Sequence, residues 1–141
     1  MTRSPVLRVG VKILLPYIML FALYVQFHGD LGAGGGFQAG VIFAAAMILY
    51  SLVFGLEAAR RVVPPRVAEV FMALGLLLYG GTGVAGLLAG GNYLDYAVFS
   101  PHHPQHGQHW GIFAVELGVG LAVSAVMLSI FFSFAGRRRA E

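Results

Sequence analysis

Four apolar runs, near residues 9–27, 37–56, 67–90 and 110–135, leave this chain few ways to fold. Each can supply the roughly 20 helical residues that cross a hydrocarbon layer of about 30 Å at 1.5 Å per residue. With 58% of residues hydrophobic, 11% charged and a mean hydropathy of +0.80, the composition is that of an integral membrane protein. The 141 residues provide for short connections but for no separate soluble domain. The expected fold is a single all-α membrane domain, residues 1–141, of four transmembrane helices.

Charge sets the expected orientation. Arg3, Arg8 and Lys12 precede the first run, Arg60, Arg61 and Arg66 separate the second from the third, and Arg137, Arg138 and Arg139 follow the fourth. These are all 9 basic residues, and four spans put them on one side. The positive-inside bias makes that side cytoplasmic, with both termini inside and the segments at 28–36 and 91–109 outside. The first run begins like a signal peptide, but no small-residue cleavage site follows, so it is expected to be retained. Arginines that flank spans report topology, not nucleic-acid binding.

The span ends carry amphipathic rings suited to the interface: Tyr93, Tyr96 and Trp110 outside, Tyr50 inside. Pro64 and Pro65 break the chain between spans two and three, and Glu69 is expected in the first turn of span three, where the helix dipole favours an acid. Pro16 is a possible kink in span one. Lys12, one turn inside the same span, either snorkels to the headgroups or takes part in a proton route.

Spans three and four are dense in small residues, which allow close van der Waals contact between helices in lipid. Gly86 with Gly90, Gly118 with Ala122 and Gly120 with Ser124 are expected packing faces, several of them toward other subunits. Glu116 stands apart: six residues after Trp110, it is expected roughly 9 Å below the outer interface. An acid at that depth is either a neutral hydrogen-bonding group or a carrier of protons or cations. Gln38 and Tyr79 are lesser polar candidates for the same route.

His102, His103, His106 and His109 cluster in "SPHHPQHGQHW". Two prolines and a glycine argue against a preformed helix, so the segment is expected to be an exposed loop and only a weak metal candidate. The absence of cysteine removes disulfides, thiolate metal sites and iron–sulfur clusters, and with them most redox chemistry. Neither enzymatic activity nor a cofactor is expected.

The stretch "HGDLGAGGGFQAG", residues 28–40, lacks the lysine ending of a phosphate loop and follows no strand. Its glycines instead permit a sharp turn and close approach of the second helix's free N–H groups to a backbone or a carboxylate. Asp30 is a candidate cap for that helix.

"LYVQFHGDLGAGGGFQAGVIFAAAMIL", a His28 turn running into Gly34, Gly35, Gly36, Phe37 and Gly40, resembles the B-type component of Mrp-type (Mnh) multisubunit sodium/proton antiporters. "VELGVGLAVSAVMLSIFFSF" is similar to that family's acid-x-Gly-Val pattern, here Glu116, Gly118 and Val119. One departure is Ala33, where the family usually has proline. The resemblance implies a non-enzymatic subunit of the cell (inner) membrane, in a hetero-oligomer with large complex-I-like antiporter subunits that exchanges Na+ and H+. It assigns the glycine turn to structure and interface and Glu116 to an ion or proton route. Related subunits also occur in energy-converting hydrogenases and other complex-I-like assemblies, so a structural membrane subunit with no direct ion contact is the alternative.

Overall fold

A computed structural model describes residues 4–29, 31–100 and 102–137. Helix α1 spans Pro5–His28, α2 Gly36–Phe54, α3 Leu56–Val62, α4 Pro65–Leu88 and α5 Pro104–Arg137, with a 3-10 turn at Tyr96–Phe99 between α4 and α5. All but the seven-residue α3 are long and apolar enough to cross a membrane. The fold is therefore all-helical with four candidate spans.

Proline and glycine set the boundaries. Pro5 and Pro65 open α1 and α4, and Pro104 begins α5, where the missing N–H costs nothing because a first-turn donor has no helical partner. Gly55, at φ 99°, ends α2, donates to the carbonyl of Ser51 and leads directly into α3. The second run therefore ends as a membrane helix at Phe54 rather than at residue 56. Because α4 starts at Pro65, Glu69 lies beyond its first turn and lines a pocket with Arg60 and Ser129.

The helices lie side by side in the order α1, α2, α5, α4. Two apolar clusters hold the arginine-bearing end together. Ala44, Met47, Ala59, Leu128 and Phe132 join α2, α3 and α5, and Val11, Leu15, Ala46 and Val53 join α1 to α2. Arg60 pins α3 to α5, donating from Nη2 to the Phe132 carbonyl at 3.2 Å with its guanidinium over the Phe132 ring. Among the described residues, no large side chain is fully buried. Of the most apolar window of each helix, 17% is buried in α1 and α4 against 39% in α2, so the outer two have open apolar flanks.

Helix α5 is longer than its apolar run. Its first turns hold His106 and His109, so the histidine segment is helical from Pro104 onward, contrary to the loop expected from its prolines. Pro104 sits at the helix start, where proline is favoured, and Gly107 is needed for contact, because a Cβ there would strike the Tyr96 carbonyl.

Candidate functional site

The site is built where the chain leaves α1 and re-enters the bundle as α2. Gly35 adopts φ 112°, ψ −176°, a region essentially reserved for glycine. Its N–H donates to the Val25 carbonyl at 3.1 Å and ties the turn to α1. Gly34 lies against the same carbonyl, since a Cβ there would stand 2.9 Å from it. Each glycine of the triplet has its own reason: Gly34 for proximity to α1, Gly35 for its dihedrals, Gly36 for proximity to α5.

Helix α5 closes the third side. The bare Cα of Gly36 faces the backbone carbonyl of Glu116, and the bare Cα of Gly40, one turn on, faces the carbonyl of Gly120. This seam lets the Glu116 carboxylate reach the turn itself. A Cβ on Gly35 would stand 2.9 Å from its Oε1, and one on Gly29 would collide with both carboxylate oxygens. The half-buried Glu116 thus sits in a cradle of bare backbone at the start of α2. Because α2 has 19 residues, about 28 Å of helix, its first turn lies at one end of the span, and Glu116 is level with that end.

Gln38 is exposed beside the same turn, with Oε1 3.8 Å from the position of a Gly35 Cβ. His28 stacks on Tyr24 with ring centres 5.3 Å apart and borders Gly32. Phe37 is exposed, Val119 is half-buried, and Gly118 faces α4. Asp30 lies outside the described residues.

The other route candidates do not join Glu116. Lys12 is exposed at the opposite end of the bundle, its Nζ 5.7 Å from the centre of the Phe54 ring. Tyr79 packs its backbone on Gly118, on the far side of α5. The phenol of Tyr96 is raised above its ordinary value by burial, then by Tyr79 and Tyr93, and stays neutral near pH 7.

Several expected roles change. Gly90, at φ 89°, has left the helix and faces open space, while Gly86 lies under the backbone of Asn92 and Asp95, so this pair is a turn and a loop seat rather than a helix-packing face. Tyr93 covers Gly83 and Tyr96 covers Gly111, which folds the 91–100 loop back onto α4 and α5, with Tyr93 still exposed. The small residues expected to meet other subunits are largely consumed within the chain, Gly75 against Gly118 and Ala122, and Gly120 against Gly36 and Gln26. Among the described residues, no group of three His, Cys, Asp or Glu converges on a possible metal position; His103 and His106 meet edge-on at 5.8 Å.

Sequence reasoning passed over Gln26. This amide lies inside α1, is 5% exposed, and approaches the bare Cα of Gly120 with its Oε1, while its Nε2 has no hydrogen-bond partner. A polar residue near the end of an otherwise apolar run was the available signal.

Four apolar helices in a row, with a carboxylate held at the turn between the first two, are the arrangement of an integral membrane protein. Residues 6–129 match the MnhB family model, described as a domain related to the MnhB subunit of Na+/H+ antiporter. A Staphylococcus haemolyticus protein named "Putative antiporter subunit mnhB2" is 30% identical over 133 residues, covering 93% of this chain and 94% of the relative. A Staphylococcus aureus protein of the same name is 30% identical over 135 residues, covering 94% and 95%. The chain belongs to the MnhB family.

Proposed function

We propose that this chain serves, as a membrane subunit of a Na+/H+ antiporter, both to pack neighbouring subunits and to carry protons or cations at Glu116. The observation that supports this reading is the cradle, which brings an acid on α5 against Gly29 at the end of α1 and Gly35 at the start of α2. The positive end of a helix dipole favours a carboxylate, and apolar surroundings favour the neutral acid. Held between these opposing effects, Glu116 exchanges a proton or a cation for a hydrogen bond when its neighbours move. The arginine-bearing end faces the cytoplasm, both termini included, and the glycine turn faces outward across the cell membrane. The exposed flanks of α1 and α4 meet lipid and the large antiporter subunits.

The second reading, a packing subunit with no ion contact in an antiporter or another complex-I-like assembly, is supported by the glycine seams on both sides of α5. Sodium-dependent proton exchange in vesicles holding the whole complex separates the two. With Glu116→Gln, exchange is expected to fall by roughly tenfold or more while every subunit remains in the membrane. Unchanged exchange would leave the chain as a packing subunit.

A further inference from the structure

We propose that a pocket one helical turn from Glu116, lined by α1, α2, α5 and Phe71 of α4, is a water site held by Gln26 and Ser124. The pocket has about 180 Å³ of room for water, and Ala22, Gln26, Gly40, Gly120 and Ser124 are among its lining residues. Glu116, Gly120 and Ser124 recur every four residues along α5 and so share a face, each about 6 Å beyond the last. That face runs from the carboxylate cradle into the pocket.

The polar groups there are incompletely satisfied. Gln26 is 5% exposed and its Nε2 has no partner, a condition that buried amides in native proteins relieve with protein groups or ordered water. Ser124 donates its hydroxyl proton to the Leu121 carbonyl at 3.0 Å, which leaves its oxygen lone pairs as acceptors. With the amide turned over so that Nε2 takes the place of Oε1, one water in the pocket can accept from Gln26 and donate to Ser124. Water also suits either orientation of the amide, whose terminal torsion is broad and nearly two-fold, whereas a cation suits only the one that presents the oxygen. The volume exceeds what a single water needs, about 10–15 Å³ on the same measure. A role for this water in transport rests on the proposed function: further waters of the pocket bridge the turn to Glu116, and the neutral acid transfers its proton to the nearest of them, leaving a carboxylate and a hydronium whose excess proton passes along the chain of waters.

The test is hydroxyl-radical footprinting of the intact complex in lipid nanodiscs, in which irradiation of bound water oxidises the side chains beside it and mass spectrometry reads the product. Phe43 and Leu121, which line the pocket, are expected to be oxidised roughly tenfold faster than Leu76 on the open flank of α4, and Gln26→Leu to abolish the excess. Ala22→Leu, which fills the pocket and removes no polar atom, is expected to act likewise and serves if the first variant does not assemble. Oxidation at the Leu76 level in the unaltered complex, as an acyl chain or a partner side chain in the pocket would give, overturns the water site, as does an excess that survives both substitutions. Footprinting as expected together with normal exchange in Glu116→Gln would remove the proton role alone; absent footprinting with lost exchange would remove the water site alone.

Discussion

Helix α5 has two packed faces that look alike in composition and differ in what they hold. Two residues apart on a helix is about 200° around it, so Gly118 with Ala122 points away from Glu116 with Gly120. The first pair meets Gly75 and the backbone of Tyr79 on α4, with no carboxylate among those contacts. The second meets Gly29, Gly35, Gly36 and Gln26, and an acid lies in the contact. Close small-residue packing is therefore common to both faces, while polar groups are gathered on one. The α4 face does what any glycine seam does in lipid; the α1 and α2 face uses the same closeness to set a carboxylate against a turn.

The most disruptive way to break this contrast is Gly35→Leu. It places a branched side chain at φ 112° and into Glu116, adding about 1–3 kcal/mol of backbone strain before any clash is counted. Assembled complex, measured by co-purification, is expected to fall by roughly tenfold; an undiminished yield would show that the cradle is not needed. Gly75→Leu strikes the other face, where a Cβ would stand 2.6 Å from the Ala122 nitrogen and the Gly118 oxygen. A lower melting temperature and less complex are expected, with normal exchange per complex that survives. A per-complex loss equal to that of Glu116→Gln would erase the difference between the faces.

Gly120→Ala sharpens the comparison. The new methyl meets the movable end of Gln26 first, 2.5 Å from Oε1, and then the Gly36 carbonyl at 3.3 Å. Near-normal assembly with exchange lowered about threefold is expected, because the amide can turn aside while the backbone cannot; equal losses of both would make this face a packing face only. The smallest effect belongs to joint replacement of His102, His103, His106 and His109 by alanine, all of them exposed. Exchange and its response to added zinc should be unchanged, and a lost zinc response would restore the histidines as ligands.

The spans and their side-by-side capacity were readable because crossing lipid demands length and hydropathy, which are local properties. Glu116 was readable for the same reason, as an acid where acids are costly. Its partners were not, since Gly29 and Gly35 approach it only after α1 and α2 have turned past α5. Gly86 and Gly90 show the converse error: correct spacing for a helix contact, but a helix that ends at Leu88 and a loop that folds back over it. The histidine segment failed because proline was weighed as a breaker, whereas at a first helical position it is a start signal.

By itself, the sequence determined that this chain is a bundle of four membrane helices with its basic residues before the first span, between the second and third, and after the fourth, because hydrophobic length and charge placement act without knowledge of neighbours. Only the tertiary structure decided which glycines carry the site. Twenty glycines are alike as letters, and what distinguishes Gly29, Gly35 and Gly36 from Gly80 and Gly81, which face open space, is the atom on the opposing helix that a Cβ would displace.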